Sequence, residues 1–373
     1  MKILFLSSSP LHKMHIVDMY IREISSAFDT MIWDISPLFS IKGQTDFPEI
    51  PVIQTTEEFE DRLDEILLEN KIIVITNVLI YDLYIVYHQL HKRKIPVVSV
   101  DKEMIISWMK DNYGKKHPEK VGKRERNKYR IKAIPFLRPF YSYLEYRHVK
   151  FDYLLGAYNY FPDACRHFYH IHNLKYDEYL QAEKKEPVFE GKYILFMDAG
   201  LAHLPSHEGK PNAIDKVDYL RAMNAFFDRI EKQYHLPVIV AAHPKSGYRE
   251  NDFMGRPIIL YKTPELLKYA ELVLAHYSTS LIELVLQKKK VIFLYSREYM
   301  ESDSRTVLET ATEYADLLHA SLIDIKRDER IEVQYDEKAY DDFIKKYIVY
   351  EQKRNETNGE LIVAFLKKLS RKL

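Results

Sequence analysis

The 373-residue sequence predicts an α/β protein of two doubly wound, parallel-sheet domains in tandem, facing each other across a cleft. Three observations predict it. Short, nearly continuous apolar runs such as KILFLSS, KIIVITNV, YILFMDAG and LPVIVAAHP read as strands buried on both faces. Segments with helix-period apolar positions separate them, the alternation of a parallel sheet covered by helices on both sides. The alternation breaks near residue 102 and restarts near residue 190, so it runs twice.

In the first half, KILFLSS, TMIWDIS, KIIVITNV, IPVVSVD and FDYLLGAY are the expected strands. HIVDMYIREISSAF, TTEEFEDRLDEILLENK and DLYIVYHQLHKRK are the expected helices between them. The second of these opens with hydroxyl caps and early acids, as a helix N-terminus should. NYFPDACRHFYH is read as a further helix, and LKYDEYLQAEKKEPVFEGK, charged and weakly periodic, as the interdomain linker. The second half adds the strands YILFMDAG, LPVIVAAHP, RPIILY, ELVLAHY and VIFLYS. Its helices are VDYLRAMNAFFDRIEKQY, TPELLKYA, LIELVLQ and TVLETATEYADLLH. The expected boundaries are residues 1–175 for the first domain, with a basic and aromatic insertion at about 102–150, and 190–335 for the second. Residues 336–373 are expected to be closing helices that pack back on the domains.

Composition excludes several classes. Lys and Arg number 55 and so do Asp and Glu, so no bulk charge draws the chain to nucleic acid. The lone Cys165 rules out an internal disulfide framework and a cysteine-based zinc site, and fits a reducing compartment. No run approaches the roughly 20 apolar residues that cross a bilayer. MKILFLSSSP is expected to be a first buried strand, because its apolar run is too short for a signal-peptide core. The expected location is cytoplasmic, with peripheral attachment to the inner face of a membrane left open.

The residues that carry chemistry cluster at three strand ends of the second half. Asp198, Gly200 and His203 follow YILFM, His243, Pro244 and Lys245 follow PVIVAA, and Ser278, Thr279 and Ser280 follow ELVLAHY. In a doubly wound sheet the ligand lies beyond the carboxyl ends of the strands, so these loops should converge. Hydroxyls at a helix mouth, beside free backbone N–H groups, suit a phosphate or diphosphate. His243 and Lys245 would add donors, and Glu283, on the first helical turn, would accept hydrogen bonds from a ribose. Each also has a purely structural reading. Ser280 and Glu283 have the spacing of a capping box, His-Pro can be a plain turn, and Asp198 can cap the helix or loop after it.

The His-Pro-Lys at 243–245, followed some thirty residues later by an apolar strand ending in Ser-Thr-Ser and then by a helix and VIFL, resembles the motifs of GT-B glycosyltransferases. The similarity is closest to bacterial sialyltransferases and polysialyltransferases that use CMP-activated sugars. Teichoic-acid polyol-phosphate transferases, which use CDP-activated donors, carry a related pattern. The resemblance implies two Rossmann-like domains, with a nucleotide-sugar donor held by the C-terminal one and a glycan or lipid-linked glycan as acceptor, in bacterial surface polysaccharide synthesis. It implies that His243 and Pro244 contact the nucleotide, that His243 stabilises or protonates the leaving phosphate, and that Ser278, Thr279 and Ser280 bind it. The acid-acid-glycine signature of the sialyltransferases has no true copy, and Met197-Asp198-Ala199-Gly200 is only an echo of it. An E-x7-E pair is absent near the hydroxyl helix, which leaves the stereochemical outcome open. A GT-B-like nucleotide-sugar epimerase, a UDP- or GDP-sugar transferase and a CDP-polyol phosphotransferase are the alternatives.

Transfer requires a base to take the acceptor proton. Asp198 is the leading candidate, with His203 and residues of the N-terminal half as rivals. His12 and His15, on the loop after the first strand, are expected to reach the acceptor. No metal and no cofactor are required, since helix dipole and hydroxyls suffice for the phosphate and no D-x-D triad is evident. The basic run Lys115–Lys132, interleaved with Tyr129 and followed by Phe136 and Phe140, either meets anionic lipid headgroups or is a solvated helical face. No nucleic-acid-binding module accompanies it.

Overall fold

The apolar runs form two parallel sheets of six strands each. A computed structural model describes residues 1–77, 84–101, 149–160, 162–201, 214–243, 246–278, 280–299, 305–328 and 330–373. These fall into two units. One holds residues 1–101, 149–174 and 349–373, and the other Lys175–Ile348.

The first unit's strands are β1 (Lys2–Ser7), β2 (Asp29–Asp34), β3 (Ile72–Thr76), β4 (Val97–Val100), β5 (Phe151–Gly156) and β6 (Cys165–His170), in the order β2-β1-β3-β4-β5-β6. The helices between them are α1 (Lys13–Asp18), α2 (Ile21–Ser25), α3 (Thr56–Glu69) and α4 (Tyr84–Lys92). Alternation along β1 sends Leu4 and Leu6 into one core, with Phe59 and Leu63 of α3 and Leu90 of α4. Ile3 and Phe5 enter the opposite core, with Ile21 and Ile24 of α2 and Leu361, Phe365 and Leu369 of the C-terminal helix. The sheet is therefore covered on both faces, which is why its strands read as continuous apolar runs. Helix α3 starts where Thr55 accepts the N–H of Glu58 at 3.1 Å, with Glu57 and Glu58 in its first turn.

The second unit opens with α5 (Lys175–Ala182) and continues through β7 (Ile194–Met197), α6 (Lys216–Tyr234), β8 (Val238–Ala242), β9 (Ile258–Leu260), α7 (Thr263–Tyr269), β10 (Leu272–Ala275), α8 (Leu281–Leu286), β11 (Val291–Tyr295), α9 (Arg305–Leu318), β12 (Ser321–Asp324) and α10 (Glu337–Phe343). The strand order is β12-β11-β10-β7-β8-β9. Counted within the unit this is 6-5-4-1-2-3, the order of the Rossmann dinucleotide fold. One face of the sheet buries Phe196, Val240 and Leu274 against Tyr219, Met223, Phe226 and Phe227 of α6. On β11, Phe293 stacks on Tyr314 of α9 at 6.2 Å, and Tyr314 in turn meets Phe343 of α10. The last helix, α11 (Asn358–Ser370), is the one packed on the first unit, and it begins with a capping box of Thr357 and Glu360. Both sheets are thus Rossmann-like, as the alternation predicts. No helix among the described residues is long and apolar enough to cross a membrane.

Three expectations about elements are corrected. CRHFYH is the strand β6, not a helix, because it pairs along β5 from Cys165 to His170 and completes the sheet edge. Ladder pairing overrides a helix-like local pattern rich in aromatics. The expected linker contains α5, whose Tyr176 and Ala182 are buried. The first expected helix is broken into α1 and α2 at Tyr20, whose φ of 53° lies in the left-handed region. That turn buries the Tyr20 ring, and its hydroxyl accepts from Asn358 of α11 at 3.1 Å.

Candidate functional site

Strand β7 lies between β8 and β10, and the strand ends are in register: Met197 pairs with Ala241 on one side and Ala275 on the other. The loops bearing Asp198, His243 and Ser278 therefore leave the same edge of the sheet, about 4.8 Å apart from strand to strand. Between β7 and β10 the strand order reverses, the point at which a doubly wound sheet takes a ligand beyond the carboxyl ends of its strands.

Asp198 is buried, and its oxygens are engaged by the protein itself. Oδ1 accepts the N–H of Gly200 at 2.8 Å and the O–H of Tyr248 at 2.9 Å, and Oδ2 accepts the N–H of His243 at 3.0 Å. Burial raises its pKa, and the three hydrogen bonds oppose that shift. The carbonyl of His243 is held as well, by the N–H of Ser246 at 2.9 Å and its hydroxyl at 2.6 Å. The His243 loop is thus fixed at both ends of one residue.

Beyond the end of β10, Oγ of Ser278 accepts the N–H of Ser280 at 3.2 Å. The hydroxyl hydrogen of Ser278 takes no part in that bond. Ser280 stands at the N-cap of α8, yet its side chain makes no capping bond and its N–H goes to Ser278 rather than to Glu283. The capping-box reading of these two residues is therefore set aside. Glu283 is fully buried, and among the described residues neither of its oxygens makes a hydrogen bond of ordinary geometry. Its polar neighbours are Lys175 and Glu178 of α5 and Ser280. Burial pushes its pKa up to about 8; Lys175 pulls it down and Glu178 pushes it up.

The sequence reading missed His276, the residue that follows β10. It is fully buried, its Nδ1 lies 2.8 Å from the Leu294 carbonyl and its Nε2 3.1 Å from the Tyr219 hydroxyl. A histidine between a buried strand and a polar loop was the available signal. Tyr248 was missed too, and nothing in its local sequence marks it.

His12 and His15 lie in the first unit, beyond the end of β1. The rings are 5.8 Å apart. Nδ1 of His15 accepts the N–H of His12 at 3.1 Å, so the neutral ring carries its proton on Nε2, 3.5 Å from the Ser9 hydroxyl. Asn77, after β3, accepts the N–H of Ser8 at 2.9 Å across the reversal point of this sheet. Pro244, Lys245, Thr279 and His203 lie outside the described residues, as does the basic run Lys115–Lys132.

No protein-family model matches the sequence, and no curated protein does. Solved structures do resemble it. The UDP-GlcNAc 2-epimerase from Methanocaldococcus jannaschii has a TM-score of 0.49 at 15% identity, covering 99% of this chain and 100% of that one. The S. aureus MnaA–UDP co-structure has a TM-score of 0.46 at 13% identity, covering 100% and 98%. Spinosyn forosaminyltransferase SpnP has 0.42 at 11% identity, covering 99% and 95%. Each score is under 0.5, and the fold is read from the two sheets themselves.

Proposed function

We propose that the chain is a nucleotide-sugar glycosyltransferase whose second unit holds the nucleotide at the reversal point between β7 and β10. Glu283 carries this reading. A buried carboxylate whose oxygens meet no partner of ordinary hydrogen-bond geometry among the described residues is costly, and near pH 8 it titrates rather than standing permanently charged. The 2′- and 3′-hydroxyls of a ribose are two donors at the spacing of two carboxylate oxygens. The Ser278 hydroxyl, whose hydrogen is not used in its bond with the Ser280 N–H, lies just before the helix that carries Glu283 and suits a phosphate. His243, fixed by its backbone, is proposed to stabilise charge on the leaving phosphate, with Pro244, Lys245, Thr279 and Ser280 lining the same anion. His12 and His15, with His203, are proposed to meet the acceptor.

The favoured donor is a CMP-activated acidic sugar, a choice supported by the sequence resemblance, and the favoured acceptor a glycan or lipid-linked glycan. The test is a transfer and hydrolysis screen with CMP-, CDP-, UDP- and GDP-sugars. Release of the nucleotide from one donor, accelerated by a glycan acceptor and lost in His243→Ala, is expected. Conversion of a UDP-sugar to its isomer without release of nucleotide would instead make the chain an epimerase. No turnover of any donor would contradict both.

A further inference from the structure

Each of the two strands that flank the reversal point is followed at once by a buried polar side chain, β7 by Asp198 and β10 by His276. We propose that Asp198 and His276 are positioning residues of the nucleotide site, Asp198 setting the His243 loop and His276 setting the loop of Ser278 and Ser280. This rests on the nucleotide reading above and assigns Asp198 a role other than general base.

A general base must offer a lone pair to the acceptor proton. Asp198 gives its oxygens to Gly200, Tyr248 and His243, two of them through backbone N–H groups of the very loops in question. Its own N–H extends the ladder to the Ala241 carbonyl at 3.0 Å. Bonds from three donors hold the carboxylate and the two loops as one unit, before any ligand arrives. Preorganisation of this kind removes the cost of ordering the His243 loop on binding.

His276 acts in the same way on the other side. Nδ1–H donates to the Leu294 carbonyl of β11, which leaves Nε2 to accept the Tyr219 hydroxyl from α6. The ring also sets its edge on Phe196 of β7, with centroids 5.8 Å apart at 85°. The residue two places before Ser278 is therefore tied to β7, β11 and α6 at once. Every polar atom of the two side chains is bonded within the protein, unlike the oxygens of Glu283, so neither Asp198 nor His276 is placed to touch the sugar or the acceptor.

The test uses hydrogen exchange and nucleotide calorimetry on the whole chain. In the free wild-type protein the amides of His243 and Gly200 are expected to be protected already, with less than a twofold further change on adding CMP or UMP. Amides that exchange freely until a nucleotide binds would overturn the proposal. In Asp198→Asn the side-chain amide, however it is turned, sets its NH2 against the N–H of His243 or Gly200. At least one of these amides is expected to exchange tenfold faster, and nucleotide affinity to fall at least tenfold, with the cooperative unfolding transition kept. Asp198→Asn with both amides protected and affinity unchanged, but turnover abolished, would restore the general-base role and overturn the proposal. For the other strand, His276→Ala is expected to lose nucleotide affinity and His276→Asn, which retains a donor near the Nδ1 position, to recover part of it. Equal affinity in the two variants would overturn the His276 half. If the wild-type chain binds no nucleotide, the nucleotide reading fails, and protection of the two amides in the free protein still decides whether Asp198 fixes the loops.

Discussion

The hydroxyl of Tyr219 donates to Nε2 of His276 at 3.1 Å, deep in the second unit where neither side chain meets water. Because Nδ1–H is donated to Leu294 at the same time, the ring is held as one neutral tautomer. Burial pushes its pKa down to about 4. The folded value lies below the unfolded value of about 6.5, so the unfolded chain binds the proton first. The stability His276 contributes is then fully present above about pH 6.5 and is lost as pH falls through about 4. The gap between the two values corresponds to about 3 kcal/mol. Urea unfolding of wild type and His276→Asn across pH 7 to 4 checks this, with the variant expected to lose less stability over that range.

His172 makes a second buried contact of this kind, in the first unit. Its Nδ1 accepts the N–H of Tyr350 at 3.0 Å, and its Nε2 lies 3.0 Å from the Glu356 carbonyl and 3.1 Å from that of Lys353. Burial holds its pKa below the ordinary range. Asn358 adds to the lock by accepting the N–H of His172 at 2.8 Å. His172→Ala is expected to cost about 1–3 kcal/mol by orphaning the Tyr350 N–H. Hydrogen exchange should show faster amides at Tyr350 and along α11, with the strands β1 and β3 little changed.

Glu283 has the opposite sign. Its folded pKa of about 8 stands above the unfolded value of about 4.5, so the folded chain keeps the proton longer. Its contribution is fully present below about pH 4.5 and is lost as pH rises through about 8. Glu283→Gln keeps the shape without the charge. It is expected to match wild type at pH 5 and exceed it by on the order of 2–4 kcal/mol at pH 9. Denaturant midpoints at the two pH values check this.

Most of the fold is legible in the sequence, because doubly covered strands must be apolar along their whole length. KILFLSS shows this by burying alternate residues in opposite cores, and PVIVAA by burying every residue from Val238 to Ala242. The edge strand β6 was not legible. Its burial is partial, and only pairing with β5 makes Cys165–His170 extended. The three polar strand ends were legible as a cluster, since residues next to a buried strand end are polar for a reason. Their roles were less so. Whether Asp198 faces a ligand or its own backbone depends on where Tyr248 lies, fifty residues away, and no local pattern carries that. The capping-box spacing of Ser280 and Glu283 misleads, because Ser278 takes the Ser280 N–H instead.

Ser278→Ala tests the anion side of the proposed nucleotide site. It removes both the hydroxyl donor and the acceptor of the Ser280 N–H. Nucleotide affinity is expected to fall about tenfold, which is about 1.4 kcal/mol. Calorimetry with a nucleoside monophosphate and with the parent nucleoside separates the effect, since the loss should appear only for the phosphorylated ligand.

The most direct measurement is calorimetric titration of the chain with CMP, CDP, UDP and GDP, followed by the 2′,3′-dideoxy form of whichever binds best. One nucleotide per chain is expected, weakened at least tenfold by removal of the two ribose hydroxyls, with Glu283→Ala erasing that difference. Absence of binding by all four, or equal affinity for the ribose and dideoxy forms, would contradict a nucleotide held at Glu283.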